Sequence, residues 1–286
     1  MAATIDYINS LKQDKTNLVN NLVEKGVEAT EDETFTSLVP KVLEIQSGGG
    51  DISEYISNTA SAGDSQTTGI GKSLLKLPKL TITGTTCAYL FRGCNHLTEI
   101  EGITCDNTVT GANYMFNGCE LLESVDFLAD IDFSNVTGMG YMFYNCKKIK
   151  EIPQINTSKV TAWQYTFSSC SSLETIPKLD ASSVSTVLSA FGACSALIDL
   201  GGFENLGKNF STTQSANYQN YTLTLSASTK LTEQSIINVL ENLYDIATAG
   251  CNPQKCTFGS KNLAKLTSEA GQAALAQATA YGWTVA

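Results

Sequence analysis

The chain has 286 residues, 42% of them hydrophobic, which is enough to bury a sizeable core. Only 16% are charged, with many Ser, Thr and Asn, a balance that suits a rigid extracellular or virion surface better than a crowded cytosolic enzyme. The net charge of −10 and the pI of about 4.6 remove counterion release at phosphates as a driving force, and so exclude nucleic acid as an expected partner.

The opening Met-Ala-Ala-Thr-Ile-Asp-Tyr has neither a basic run nor an apolar run, so no signal peptide is expected, and no stretch predicts a membrane span. Residues 4–25 read as a polar helix with an apolar seam. Ile8, Leu11, Leu18 and Leu22 form the seam, and Lys15 takes the position between. That spacing predicts a short coiled coil, roughly 33 Å long at about 1.5 Å per residue. So narrow a stripe stabilises a lone helix poorly. We therefore expect an oligomerisation or docking stalk; the plainer reading is a helix folded back on the rest of the chain. Gly26 stops it, and Thr30-Glu-Asp-Glu33 matches a capping box. Phe35, Leu38, Val42 and Ile45 make a second apolar face, which Pro40 interrupts. Ser47-Gly-Gly-Gly50 reads as a flexible joint and a domain boundary. The expected domains are a helical attachment segment over 1–47, a Gly/Ser-rich linker and N-terminal cap over 48–73, a repeat domain over 74–208, and capping units over 209–286.

From Leu74 to about Phe203 one pattern recurs: aromatic, two residues, cysteine, two residues, aliphatic, two residues, aliphatic. It reads Phe91-Arg-Gly-Cys94-Asn-His-Leu97-Thr-Glu-Ile100, then Phe116 to Val125, Phe143 to Ile152, Phe167 to Ile176 and Phe191 to Leu200. The phenylalanines are spaced by 25, 27, 24 and 24 residues. A fixed period in this range signals a solenoid, in which units too small to bury their own apolar sides stack into one core. Leu97, Ile100 and Ile103 fall three apart, as do Ile149, Ile152 and Ile155, a leucine-rich-repeat pattern with a short strand between anchors. Gly84, Val109, Val136, Val160 and Val184 precede the phenylalanines by seven. Met139, Met142 and Phe143 show helix-like spacing. The expected class is thus α/β: a leucine-rich-repeat solenoid with one strand and one short helix per unit, carried on an N-terminal α-helical stalk. Leu74, Leu75, Leu77, Leu80 and Ile82 open it as an incomplete first unit.

Beyond Phe203, residues 209–220 are a polar insertion. Tyr221 to Leu225, Thr257-Phe-Gly and Gly282-Trp-Thr-Val read as strands, with helices over Leu231 to Tyr244 and Ser268 to Ala280. Together they look like two enlarged strand–helix units capping the stack.

There are nine cysteines, an odd number. Cys94, Cys119, Cys146, Cys170 and Cys194 share one repeat position, which predicts free thiols buried down the core; one ligand per layer makes no tetrahedral metal cage. Cys251 and Cys256 could close a loop as a disulfide or stay free. His96, the one histidine, falls two residues after a core cysteine and reads as a surface residue rather than half of a Cys–His dyad. Gly69-Ile-Gly-Lys-Ser73 mimics part of a phosphate loop but lacks the first glycine at the needed spacing. Carboxylate pairs for sugar cleavage could be chosen from Glu99, Glu101, Glu123, Asp126 and Glu151, as on any acidic surface. No catalytic residue, metal site or cofactor is expected. Two ladders are the better candidates for binding. Tyr89, Tyr114, Tyr141 and Tyr165 each lie two residues before a repeat phenylalanine and suit carbohydrate or protein recognition, or half-buried packing. Glu99, Ser124, Glu151, Thr175 and Asp199 form the second, on the outward strand face, which is otherwise a plain solvated surface; Glu99 and Glu151 are its ligand-binding candidates.

Residues 87–203 resemble the BspA-like (Treponema-type) leucine-rich repeats, through the motif Val-Thr-x-Met-x-Tyr-Met-Phe-x-x-Cys-x-x-Ile/Leu at Val136–Ile149 and, with variations, at Val160–Leu173. Residues 229–285 look like the C-terminal cap that often follows such repeats. Residues 5–50 are similar to the N-terminal attachment segment of phage fibre and baseplate-type proteins of Gram-positive hosts. Leu11-Lys-Gln-Asp-Lys-Thr-Asn-Leu-Val-Asn20, Lys25-Gly-Val27, Thr34-Phe35 and Ile45-Gln-Ser-Gly-Gly-Gly50 carry that likeness, and Pro40 departs from it. The resemblances imply a non-enzymatic virion protein, a tail fibre or appendage subunit. It would be a homo-oligomer, a trimer among the options, joined to other virion proteins through its N-terminus and facing a host-surface glycan or protein with its repeats. A capsid head fibre or decoration protein and a bacterial surface adhesin are the rival expectations.

Overall fold

The computed structural model describes residues 12–20, 22, 28–33, 76–77, 79–82, 86–105, 109–210 and 221–286. The expectations placed on Ile8, Leu11, Pro40, the three glycines 48–50, Gly84 and residues 69–73 lie outside them.

The short strands of the repeat region are β1 (Lys76–Leu77), β2 (Leu80–Ile82), β3 (Glu99–Ile100), β4 (Ile103–Cys105), β5 (Thr175–Ile176), β6 (Leu179–Asp180), β7 (Asp199–Leu200) and β8 (Phe203–Glu204). Each pairs in parallel with its counterpart one unit away: Lys76 with Glu99, Leu80 with Ile103, Thr175 with Asp199, Leu179 with Phe203. A third parallel ladder of single bridges runs Thr86, Gly111, Gly138, Ala162, Thr186. Pairing one unit apart, in parallel, means that successive units lie on one another in register. β1 and β2 pair with the first full unit and so open the stack; Leu74 and Leu75 lie outside the described residues. The second unit differs: its extra residues form a 3-10 helix, Asp126–Asp130, that buries Phe127 and Leu128.

The short helix expected in each unit does not form. The segment from Cys87 to Cys94 is a run of tight turns, in which Leu90, Arg92 and Cys94 donate to the carbonyls of Cys87, Tyr89 and Phe91. The alternate amides of Tyr89, Phe91 and Gly93 donate instead to Asn113, Met115 and Asn117 of the next unit, at 2.9, 2.8 and 2.7 Å. Tyr114, Phe116 and Gly118 repeat this to Gly140, Met142 and Tyr144. Two residues per unit sit in the left-handed region. One is the tyrosine position (Tyr89, Tyr114, Tyr141, Tyr165, Ser189), the other two residues past the phenylalanine (Gly93, Gly118, Asn145, Ser169, Ala193). A left-handed residue ends an α-helix, which is why Met139, Met142 and Phe143 share a buried face without lying on a helix. Glycine meets that backbone without penalty at Gly93 and Gly118.

The core is continuous from Leu77 through the stack to Trp283. Its spine is a row of phenylalanines: Phe91 on Phe116, Phe143, Phe167, Phe191 and finally Phe203, with centroids 5.1 to 5.8 Å apart and planes within 27°. All are at most 1% exposed, and burying such a side chain is worth about 1.5–3 kcal/mol. Val109, Val136, Val160 and Val184 line the core beside them.

After the repeats, β9 (Thr222–Thr224), β10 (Gln254–Thr257) and β11 (Trp283–Val285) form a parallel sheet in the order β11-β10-β9. β10 begins three residues ahead of the expected Thr257 and buries Cys256. Helices Glu233–Glu241 and Glu269–Ala280 pack on each other, N-capped by Thr232 and Ser268 through bonds to Ser235 and Gly271. The first of them lies against β7.

Near the N-terminus, residues 12–20 are helical. Leu18, Val19 and Leu22 are at most 5% exposed in a single copy, so that part of the seam is already covered within one chain. They do not join the core that starts at Leu77. The Lys15 ammonium donates to the Glu31 carbonyl, and the Thr30 amide donates to Glu33 Oε1 at 3.0 Å, the glutamate half of a capping box.

Candidate functional site: a tyrosine ladder beside a thiol column

The tight-turn segments place two columns side by side, one inside and one at the surface. Inside, the five repeat cysteines are at most 1% exposed. Each thiol after the first donates to the phenylalanine carbonyl one unit back: Cys119 to Phe91, Cys146 to Phe116, Cys170 to Phe143 and Cys194 to Phe167, at 3.0 to 3.1 Å. Those carbonyls already accept the cysteine amide of their own unit. The thiol therefore satisfies their second lone pair in a dry place. Burial pushes Cys94 and Cys194 up to about 12. It raises Cys119, Cys146 and Cys170 well above the ordinary thiol value, with the neighbouring thiol adding to the effect. Thiols held protonated are poor nucleophiles; Cys94 lies in the core, while the His96 side chain is exposed. Cys251 and Cys256 are both unoxidised.

Outside, Tyr89, Tyr114, Tyr141 and Tyr165 stack with centroids 4.9, 4.6 and 4.8 Å apart and planes within 19°. All four are half-buried. Both faces of Tyr114 and Tyr141 are covered by neighbouring rings, so the ladder turns ring edges, not faces, outward. Tyr144 meets Tyr165 edge-on at 6.3 Å, and beyond Tyr165 the next position is Ser189, which has no ring. The Arg92 guanidinium lies 5.6 and 5.3 Å from the centroids of Tyr89 and Tyr114. Burial, then the neighbouring ring, raises the phenol of Tyr114; the same two causes raise Tyr141.

The strand ladder is outward as expected: Glu99, Ser124, Glu151 and Asp199 are exposed and Thr175 half-exposed. Its groups are not all available. Glu99 is held by Lys76 of the unit before at 2.5 Å, and Asp199 accepts from Ser235 at 3.1 Å. Related pairs tie other layers together: Lys147 with Glu120 at 2.7 Å and Lys178 with Glu204 at 3.4 Å. Exposed pairs of this kind add little stability. Glu151 is exposed on its bridge to Thr175. The tyrosine and glutamate candidates thus occupy two separate strips, on the turn segments and on the strands. Sequence reasoning missed Arg92 and Tyr144, whose only signal was an Arg or Tyr next to the repeat phenylalanine at Arg92 and Tyr144.

Among the described residues there is no group of three or more His, Cys, Asp or Glu that could hold a metal, and no helix is long and apolar enough to cross a membrane.

Layers paired in parallel, one repeat apart, run from Lys76 to Glu204, and most of that region overlaps a known sequence family. Residues 85–222 match the family described as "Mycoplasma protein of unknown function, DUF285". The match covers the five Phe–Cys units and ends at the first residue of β9, ahead of the final helices; it does not reach residues 5–50. No curated protein and no solved structure matches the chain.

Proposed function

We propose that the chain is a non-catalytic structural protein of a phage virion, a tail fibre or appendage subunit, whose leucine-rich-repeat-type layers present a recognition surface to the host cell. The observation that carries this reading is the tyrosine ladder. Four tyrosines occupy a left-handed backbone position where each costs roughly 1–2 kcal/mol relative to glycine. The three ring pairs return only about 0.5–1.5 kcal/mol each beyond area burial. Ser189 fills the same left-handed position without a ring, so the backbone does not itself call for tyrosine there. Edges bearing phenol groups, bounded by Arg92, suit the hydroxyls and amides of a glycan or a protein. The N-terminal segment would attach the subunit to other virion proteins and join copies. Weak sites presented together would then act through avidity.

The resemblance of residues 5–50 to phage attachment segments supports the virion setting. Immunogold labelling of particles with antibody to the purified chain tests it. Label on the tail supports the reading, label on the capsid replaces it with a head fibre, and label only on the bacterial surface replaces it with an adhesin. The recognition surface is tested with fluorescent protein on host cells. Tyr114→Ser/Tyr141→Ser should keep the far-UV spectrum and lose cell binding; unchanged binding would remove the ladder from the proposal.

A further inference from the structure

Two cysteines stand apart from the thiol column. Cys87 and Cys105 bring their sulfurs to 3.6 Å of each other at the start of the stack. Equivalent positions in the following units hold Ala112 with Phe133, Met139 with Thr157, Trp163 with Ala181, and Val187 with Asn205. Only the first full unit has sulfur at both. Cys87 is 3% exposed, while Cys105, at the end of β4, is partly exposed. Four of the five column thiols donate to phenylalanine carbonyls and all five lie in the dry core, whereas this pair joins a buried residue to a partly exposed one, sulfur beside sulfur.

We propose that Cys87 and Cys105 are a redox-sensitive pair that closes a disulfide across the first full layer, with a small-molecule disulfide such as oxidised glutathione as oxidant. The Cys105 thiolate attacks one sulfur of that disulfide and forms a mixed disulfide, expelling one glutathione thiolate. The Cys87 thiolate then attacks Cys105 Sγ, forming the Cys87–Cys105 bond and expelling the second. Two protein thiols lose two electrons, one disulfide is reduced to two thiols, and the two cysteine protons pass to the departing glutathione. The closed bond ties the turn segment to β4 and so staples the first full layer, beside the strands β1 and β2. The chemistry stands without the virion reading; under that reading the bond closes when particles leave a reducing cytoplasm.

The full chain is incubated with oxidised or reduced glutathione, denatured, alkylated and mapped by mass spectrometry. The expected result is loss of two of the nine alkylatable cysteines, one peptide linking Cys87 to Cys105, and a thermal midpoint raised by a few degrees that dithiothreitol reverses. Cys105→Ser and, separately, Cys105→Ala should abolish both the link and the shift, while Cys251→Ser should leave them intact. Nine alkylatable thiols after oxidation, a link through Cys251 or a column cysteine, or a glutathione adduct that stays on Cys105 would each overturn the proposal.

Discussion

The residue that repays closest attention is the repeat cysteine. Its period marked it as a core position, and the structure puts all five in one dry column. Its second property was not legible in the sequence. A hydrophobic pattern reports which side chains face inward, not that a thiol reaches one unit back to a carbonyl. The consequence is a pH dependence. Each column thiol is raised on folding, so its stabilising effect is complete below the unfolded value of about 8.5 and is lost as the pH climbs from there towards 12. Once the unfolded thiols are ionised, each contributes a loss of about 1.4 kcal/mol per pH unit. Urea midpoints should therefore be flat from pH 7 to 8 and fall steeply between 9 and 10. Cys146→Ala should cost about 1 kcal/mol at pH 7 through lost packing, and should make the alkaline fall shallower by one thiol's share. A flat curve up to pH 10 would mean the column is wet.

At the scale of the element, the turn segment is where sequence and structure part. Residues 136–143 carry apolar positions three and four apart, a spacing that predicts a helix. The same positions are buried because left-handed residues at Tyr141 and Asn145 curl the chain tightly enough to repeat an inward face. Periodicity cannot separate the two cases. The signal that could have done so was Gly93, Gly118 and Asn145, residue types that tolerate positive φ, at one repeat position. Ala193 takes that position in the last unit with φ of 59° and an exposed side chain. Ala193→Gly should therefore stabilise the protein, by about 1 kcal/mol, against the usual sign for glycine. Asn145→Val should destabilise by more than 1 kcal/mol, because a β-branched residue suits the left-handed region least. Both are read from thermal midpoints; a loss of stability in Ala193→Gly would refute the strain argument.

For the molecule as a whole, a stack of layers has an end, and an end is an unpaired strand edge open to another chain. The final strand–helix units were legible as elements: alternation gave β9, and Thr232 and Ser268 stand where their helices begin. How they meet the stack was not legible, because it rests on polar side chains of a helix whose sequence signal is its apolar face. Ser235 accepts from the Leu200 amide at 3.0 Å and lies within reach of the Ile198 carbonyl at 3.0 Å. Asn238 donates to the Leu200 carbonyl at 2.8 Å, and the Thr232 amide donates to Ile198 at 3.0 Å. A helix has taken the place of the next strand. Ser235 is wholly buried, so Ser235→Ala strands the Leu200 amide away from water and should cost about 1–3 kcal/mol. Asn238→Ala should cost less, since that side chain is only partly buried and water can replace it. The two act on one residue, so their effects should not add; the double variant should show a coupling of at least 0.5 kcal/mol in either direction, on the order expected for neighbours sharing a partner. Sedimentation near the melting onset should show the double variant self-associating, where the exposed control Ser195→Ala remains as wild type. If the double variant stays dispersed and costs the sum of the singles, the helix covers that edge by packing alone and its polar side chains are incidental.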